Sequence, residues 1–451
     1  MNDITKDMQL AEKLALAVKA VGGCAYFVGG CVRDKLLGIP CGDLDIEVHG
    51  ILPETLERIL DTLGHTRTVG LSFGIWSLDH TNIDVAMPRT EKATGKGHRD
   101  FKTFIDPYLP VELAAQRRDF SINAIMENVL THELTDCFGG IEDLKNGVIR
   151  HVNDQSFTED PLRVLRGAGF AARFGFTLAE ETAALFKIMP LEELSRERVF
   201  AELEKALLKA EHPSVFFDVL RDTDQLDTWF AEIKALIGVE QSPVYHAEGD
   251  VYNHTMLVLD KAAELRSTAK EPLYFMLSAL CHDFGKPTTT SVIDGRIRAF
   301  MHENVGVDIA HRFITRLTSE RALSRYVLNM IKLHMRPNML AGQNAGEKAY
   351  FKLFDEAIEP RDLLLLAKAD FYGSVSDSKG EYTQTEEKLI YELCEFEKLM
   401  KKPHVTGADL IAAGLKPNED FSKLLELAHK LRLAGVDKDT ALSQVIAEAG
   451  K

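Results

Sequence analysis

The run Gly29-Gly30-Cys31-Val32-Arg33-Asp34, followed closely by Asp43-Leu44-Asp45, decides the reading of the N-terminal half. Just upstream, Ala25-Tyr26-Phe27-Val28 is a short apolar run and reads as a buried strand. The two glycines at its end let backbone N–H groups approach a phosphate closely. Arg33 stands near the start of a helix, whose dipole also favours anions. Asp43 and Asp45 alternate with Leu44 and Ile46, so on a strand both carboxylates leave by one face. Two carboxylates converging beside a phosphate cradle are what a pair of Mg2+ ions needs for in-line phosphoryl transfer. The glycines taken alone read equally well as a turn before a solvated edge strand.

Around this run the pattern alternates helix and strand. Residues 6–21 form an amphipathic helix with Leu10, Leu14, Val18 and Val21 on one face. A helix across Asp34–Leu37 precedes the strand Asp43–Val48, and a helix at 52–64 leads to strands Gly74–Asp79 and Thr81–Met87. Asp84 sits on the last of these between Ile83 and Val85. A carboxylate so placed is costly unless it pairs or binds metal. Asp84 is therefore taken as the third metal carboxylate. Glu47, on the same strand face as Asp43 and Asp45, competes for the role. The run from Asp136 to Val152 reads as a turn-rich strand pair.

At 451 residues the chain is long enough for two to four domains. Its 45% hydrophobic and 27% charged residues describe a soluble globular protein. No apolar run is long enough to span a membrane, and the N-terminus lacks a signal-peptide core. The six cysteines show no metal-type pairing, which suits free thiols in a cytoplasmic protein. The net charge of −16 argues globally against nucleic acid, but the footprint that counts is local. Residues 89–102 carry Arg89, Lys92, Lys96, Arg99 and Lys102 against only Glu91 and Asp100. That window is either a basic loop with a ligand or a solvated surface loop.

Next comes Gln116-Arg117-Arg118-Asp119-Phe120-Ser121-Ile122-Asn123. Paired arginines suit a triphosphate, Asp119 can orient one of them, and Asn123 can hydrogen-bond a nucleotide sugar. From Glu159 the chain turns to long helices. Glu159-Asp160-Pro161-Leu162-Arg163-Val164-Leu165-Arg166 opens one, capped by Thr158 or Asp160 with Pro161 in its first turn. Arg163, Arg166 and Arg173 fall within about 80° of one another on that helix. This stripe could read a base and its phosphates, or be a salt-bridged surface. A second helix follows at Ser195–Lys205.

The order GGCVRD, DLD, RRDFSINAI, EDPLRVLR and LSRERVFAELEKAL across residues 23–210 resembles the class II tRNA nucleotidyltransferases, the CCA-adding enzymes, whose head and neck the bacterial poly(A) polymerases share. The resemblance implies a polymerase-β-like head with Mg2+ on Asp43 and Asp45. It implies nucleotide contacts from Gly29, Gly30, Arg33 and one of Arg117 or Arg118, with Asp119 and Asn123 alongside. Asp160 and Arg163 would select the incoming base, an acceptor and a donor reading the edges of C or A in place of a template. Arg166 would serve the phosphates. The basic window matches the family's flexible loop. One departure stands out: where the family carries an arginine after Ala168, this chain has Gly169.

In the second half, His254, the adjacent His282-Asp283 and the distant Asp370 follow the ligand order of the HD phosphohydrolases, which this half resembles. Imidazole plus carboxylate suits a divalent transition metal such as Mn2+, Ni2+ or Co2+, which activates water on a phosphate ester. Lys286 is placed to take a phosphate oxygen, and His302 and His334 could support a second metal. The alternative is a helical RNA-binding tail in which the HD fold survives without activity.

These readings predict an α+β head with a mixed sheet over 1–155. All-α parts follow: a base-selecting neck at 156–240, an HD domain at 241–375 and a tail at 376–451 that contacts tRNA. The implied partners are a tRNA 3′ end, CTP and ATP, with no membrane. The implied HD activity is phosphatase or 2′,3′-cyclic phosphodiesterase. The alternatives are an A-adding or CC-adding enzyme, a poly(A) polymerase, or an HD hydrolase whose head only senses nucleotide.

Overall fold

The computed structural model describes residues 4–68, 74–93, 101–376, 381–402, 404–417 and 420–449. The chain divides into two compact units, Met1–Ala206 with Val215–Trp229, and Leu207–Ser214 with Phe230–Lys451.

The first unit is built on β1 (Cys24–Val28), β2 (Leu44–His49), β3 (Thr66–Thr68), β4 (Ile75–Leu78) and β5 (Ile83–Ala86), the hairpin β6 (Arg89–Ala93) and β7 (Phe101–Ile105), then β8 (Met126–Asn128) and β9 (Leu134–Thr135). Among the described residues, seven of these strands form one mixed sheet in the order β3-β4-β5-β2-β1-β8-β9. At its centre β2 runs antiparallel to β1, with Phe27 opposite Ile46, and parallel to β5, with Asp45 opposite Asp84. Helices Ile4–Ala20 and Pro53–Leu63 pack together beside these strands. They bury Leu14, Val18, Leu56 and Leu60, while the strands bury Phe27, Ile46 and Val48. Of the face expected for the first helix, Leu14 and Val18 are buried, joined by Ala11 and Ala15, whereas Leu10 is half-buried and Val21 lies past the helix end, 50% exposed.

Two local readings are corrected. The helix after the glycines begins at Gly30, a turn earlier than expected, with Gly29 in the left-handed region at φ 72° as its N-cap. Asp136–Val152 is not a strand pair. It holds the helix Gly140–Asn146 and a two-residue β10 (Val148–Ile149), which pairs in parallel with β11 (Thr177–Leu178). The Asp136 carboxylate accepts from the Gly140 and Ile141 N–H groups, and left-handed glycines flank both helix ends. Those glycines, read as turn residues, are helix punctuation.

The first unit continues through helices Asp154–Thr158, Leu162–Phe174 and Glu180–Ile188. Phe120, on the segment just before the turn Ser121–Asn123, contacts Phe157 and Phe170 on these helices, and Phe157 contacts Phe186. Gly167 makes this packing possible, because a Cβ there would lie 2.5 Å from Phe186 and 2.8 Å from Phe120. Gly169 faces open space.

The second unit is largely helical. Val251–Leu265 lies against Pro360–Gly373, with Pro272–Cys281, His302–Leu317 and Arg321–Leu333 around them. Between Lys286 and His302 it adds an unforeseen hairpin, β12 (Thr290–Ile293) and β13 (Arg296–Ala299). Helix Thr383–Lys401 packs on Glu347–Glu356 and Arg336–Gly342. The last helices close a small core of Val405, Leu410, Ala428, Ala441 and Val445. Among the described residues no helix is long and apolar enough to cross a membrane.

Candidate active sites

In the first unit, Asp45 leaves β2 on its open face, with Asp84 opposite it on β5 and Asp43 immediately before β2. All three carboxylates are exposed. Ser77 on β4 donates to Asp84. Among the described residues neither Asp43 nor Asp84 has an ion-pair partner. Although the Asp45 residue reaches solvent, the atoms packed around its carboxyl partly desolvate it and raise its pKa; Arg118 lowers it, and Asp84 and Asp43 raise it again. Mutually repelling carboxylates at neighbouring strand positions suit a divalent cation, since oxygen donors and negative charge are what Mg2+ requires. Gly29 is close by. A Cβ there would lie 3.3 Å from the Arg118 guanidinium and 3.6 Å from Asp45 Oδ2. The Arg118 Nε is buried without a hydrogen-bond partner, a donor available to an anion.

Glu47 behaves differently from the other carboxylates on its strand. It is 1% exposed and accepts from His49 Nε2 at 3.0 Å, Arg117 at 3.2 Å and Arg118 at 3.4 Å. Burial opposes its ionisation, but His49 and the two arginines pull its pKa down to about 2. It positions the arginine pair, and its oxygens are taken up by His49, Arg117 and Arg118.

Several expected nucleotide contacts are engaged with one another instead. Arg33 is 4% exposed, donates to Asp34 and Asn123, and lies against the stacked pair Phe170 and Phe174, 5.0 and 4.8 Å from their ring centres. Asn123 in turn donates to Asp119 at 2.9 Å. Asp119 therefore does not orient Arg117 or Arg118; it receives Arg166 through Nε and Nη2 at 2.8 and 2.5 Å. Arg173 reaches Asp34 at 3.2 Å. The result is one continuous chain, Arg173–Asp34–Arg33–Asn123–Asp119–Arg166, tying the glycine helix to Leu162–Phe174. Asn123 is thereby a link in the scaffold, with both ends of its amide used.

Asp160 caps the Leu162 N–H at 3.1 Å and accepts from Arg198 at 2.7 Å. Arg163 donates to the Ser156 and Arg117 carbonyls at 2.8 and 2.9 Å, which fixes the plane of its guanidinium. Arg163, Arg117, Ser156 and Glu159 help line a cavity of about 440 Å³. Of the basic window, Lys96 and Arg99 lie outside the described residues, as do the side chains of Lys92 and Lys102.

The second unit gathers its ligands more tightly. His254 Nε2 is 3.1 Å from Asp370, 3.4 Å from His282 Nε2 and 3.6 Å from Asp283 Oδ2. On the other side of Asp283, its Oδ1 is 3.3 Å from His302 Nε2 and 3.9 Å from His334 Nε2. Each imidazole is turned by its other nitrogen. The Nδ1 of His282, His302 and His334 faces the backbone carbonyls of Ala279, Ala299 and Ile331 at 2.7, 2.9 and 2.6 Å. That of His254 faces Glu248 Oε1 at 2.9 Å. With Nδ1 protonated, the four Nε2 lone pairs converge, as in metal-binding histidines. Nitrogens at 3.3–3.4 Å match the edge of a polyhedron around an ion about 2.1 Å from each. Asp283 Oδ2 is buried and receives no hydrogen bond, though Lys286 Nζ lies 2.6 Å away. Burial opposes ionisation of Asp283, but His282 and Lys286 outweigh it and hold the pKa well below the usual carboxylate range. Among the described residues three ligand groups result, His254–His282–Asp370 and Asp283–His302–His334 at the cage and His246–Glu248–His254 beside it, each with its donor atoms within 4.8 Å of one another. The donor set of these residues fits divalent ions, and Asp283, with one oxygen toward each side, would help to hold them.

Glu248 was not foreseen. It also takes His246 Nδ1 at 2.8 Å and the Val375 N–H at 2.8 Å, and its pKa falls to about 2 because His254, the Val375 N–H and His246 outweigh burial. The only sequence signal was its place in His246-Ala247-Glu248, just before the ligand helix.

Comparison with known proteins follows the same division. The description "Poly A polymerase head domain" matches residues 25–150, "Probable RNA and SrmB- binding site of polymerase A" matches 175–237, and "HD domain" matches 251–372. The chain resembles a "Multifunctional CCA protein" of Laribacter hongkongensis at 36% identity over 371 residues, 80% of this chain and 87% of that protein. The protein of the same name from Actinobacillus pleuropneumoniae is 35% identical over 374 residues, 80% of this chain and 88% of its own. Among solved structures, the Bacillus stearothermophilus CCA-adding enzyme in complex with CTP aligns with TM-score 0.68 at 21% identity, over 98% of this chain and 97% of that one. The Thermotoga maritima CCA-adding enzyme complexed with tRNA aligns with TM-score 0.62 at 22% identity, over 99% and 95%. A carboxylate-bearing sheet in the head and, further along the chain, an imidazole cage in an HD domain mark the class: a nucleotidyltransferase of the poly(A) polymerase type that carries an HD domain. Within that class, the identity and coverage place the chain in the family of multifunctional CCA proteins.

Proposed function

We propose that this protein completes tRNA 3′ ends, adding C, C and A from CTP and ATP without a template, and that its HD half is a metal-dependent phosphohydrolase acting on phosphorylated nucleotide ends. The observation carrying the first part is the register of Asp45 with Asp84 beside Gly29 and Arg118. Asp43, Asp45 and Asp84 would hold Mg2+, which when bound neutralises the triphosphate and lowers the pKa of the attacking hydroxyl. The tRNA 3′-oxygen forms a bond to the α-phosphorus of the nucleotide, and pyrophosphate leaves. Gly29 leaves room for the phosphates, and Arg118, braced by Glu47, meets their charge. Arg163, its plane fixed by two carbonyls, offers its remaining N–H groups to the base edge, and Asp160 supplies the acceptor. Arg166, braced by Asp119, completes the positive wall.

In the HD half, His254, His282, Asp283 and Asp370 would hold one ion of the Mn2+, Ni2+ or Co2+ class, and Asp283, His302 and His334 a second. Such ions supply a water nucleophile at neutral pH. Lys286 orients the phosphate.

Labelled CTP incorporation into a tRNA transcript lacking its terminal CCA tests the head. The reading expects robust incorporation, abolished in Asp43→Ala; unchanged incorporation in that variant contradicts it. Metal-dependent phosphate release, or opening of a 2′,3′-cyclic phosphate, lost in Asp283→Ala tests the HD half.

A further inference from the structure

The imidazole cage opens into a cavity of about 610 Å³, and a smaller one of about 190 Å³ adjoins it. The two share Tyr245, His246, Lys286 and Ala299. The smaller chamber is lined in addition by Glu240, Gln241, Ser242, Thr290, Ile297 and Arg298. None of the cage ligands reaches it, and no step assigned above uses it.

Gln241 carries the argument. It is 8% exposed, and its Oε1 accepts from Lys286 Nζ at 2.7 Å. That contact fixes which end of the amide is oxygen. The Nε2 is then a buried donor with no partner. A buried donor without an acceptor is costly, so this amide is open to a ligand that brings an acceptor to it. Lys286 is the link to the metals, since its ammonium also lies 2.6 Å from Asp283 Oδ2. One ammonium thus separates the vacant amide donor from the carboxylate between the two cage groups. A molecule whose phosphate sits at the cage therefore meets the amide with whatever hangs from the adjacent carbons.

The neighbours say what that group is. Tyr245 is 66% exposed at the rim, an aromatic face with little packed on it. Across the chamber, Arg298 stacks on Phe300 at 5.5 Å and has no carboxylate partner among the described residues. A flat ring surface, a single directed donor and an unpaired guanidinium are the parts from which single-stranded nucleotides are held.

The geometry points to a nucleobase subsite: the small chamber beside the cage takes the base of the nucleoside whose phosphate is hydrolysed, stacked on Tyr245 and hydrogen-bonded by Gln241 Nε2. This deepens, and rests on, the phosphohydrolase reading of the HD half. Because Oε1 is committed to Lys286, the amide offers only a donor. Every base presents an acceptor edge to a donor, so the subsite favours nucleotides over simple phosphate esters without choosing among bases.

The test uses the full-length, metal-loaded protein with two esters of secondary alcohols, adenosine 2′-monophosphate and glycerol 2-phosphate, the second lacking a base. Tyr245 is at the surface, so its replacement leaves the fold intact. Tyr245→Ala is expected to raise KM for adenosine 2′-monophosphate about ten-fold, to leave kcat within about two-fold, and to leave glycerol 2-phosphate hydrolysis unchanged. Tyr245→Phe keeps the ring and should match the wild type. Gln241→Glu keeps an acceptor for Lys286 but removes the donor; it should lower the ratio of kcat/KM for adenosine 2′-monophosphate to that for glycerol 2-phosphate several-fold. Equal losses on both esters, or no change on either, overturn the subsite. If the wild type hydrolyses neither ester, the phosphohydrolase reading fails by itself. Equilibrium dialysis of adenosine 2′-monophosphate then decides the subsite: weaker binding to Tyr245→Ala sustains it, and equal binding overturns it.

Discussion

The two metal-binding regions solve one electrostatic problem in opposite ways. In the head, Asp43, Asp45 and Asp84 stand exposed at the open face of a sheet, and water screens their repulsion when no cation is bound. In the HD half, His254, His282, Asp283 and His334 are each at most 1% exposed, so their charges depend on one another and on a cation. An exposed carboxylate site would hold a hydrated divalent ion loosely enough for it to exchange. A buried imidazole cage with every Nδ1 fixed is preorganised for an ion that stays. The rigid part of the head is instead the layer beneath its site, where Glu47 holds two arginines and Asp119 holds a third.

The sharpest way to break this comparison is to disable one region and read both. Asp45→Ala should lower nucleotide incorporation by at least about 10³-fold and leave HD phosphate release unchanged, and Asp283→Ala should do the reverse. Loss of both activities in either variant would mean that the regions are not independent.

A smaller effect separates a held ion from an exchanging one. Glu248→Gln weakens the acceptor on His254 Nδ1. It should lower HD metal affinity about 10- to 100-fold, measured by competition with a chelator, without altering the Mg2+ dependence of incorporation.

The layer under the head site can be read by pH. The folded pKa of Glu47 is depressed, so its stabilisation is fully present above the ordinary Glu range near 4.5 and is lost as pH falls through about 2. At neutral pH it contributes on the order of 3 kcal/mol. Both tryptophans, Trp76 and Trp229, belong to the first unit, so their fluorescence reports that unit alone. Glu47→Gln should lower its unfolding midpoint at pH 7 and flatten its acid dependence between pH 4.5 and 2. An unchanged pH profile would remove Glu47 from the account.

The smallest effect concerns the two glycines of helix Leu162–Phe174. Gly169→Ala should stabilise the first unit by roughly 1 kcal/mol, since its side is open. Gly167→Ala should destabilise it, because the new methyl meets Phe186 and Phe120. Thermal melts of the two variants should move in opposite directions.

What was legible in the sequence was periodic or ordered. The strand before Gly29 and the Asp-Leu-Asp alternation follow from spacing along one element, whereas His254, His282-Asp283 and Asp370 lie on or beside three separate helices and were legible only through their resemblance in order to the HD phosphohydrolases. What was illegible depended on pairing between distant elements. Asp119 looked like the partner of its neighbours Arg117 and Arg118, yet it pairs with Arg166, a helix away in sequence. Glu47 looked like one more carboxylate on the metal face. Burial and a histidine two residues on, at His49, turned it into the anchor of the arginine pair. Asn123 carries a polar amide either way, and only the positions of Arg33 and Asp119 show that both its ends are used. The glycines around residue 140 were read as turns because left-handed positions serve helix ends and hairpins alike.

The most direct test of the account is the 3′-end sequence of products made from three tRNA transcripts: one ending at the discriminator base, one lacking only the terminal A, and one complete. Each is incubated with CTP, with ATP, and with both. The account predicts that CTP alone adds two residues to the first, that ATP alone adds one to the second, that both together restore CCA and stop, and that the complete transcript is unchanged. Extension of the second transcript alone, or a growing run of A on any of them, would contradict it.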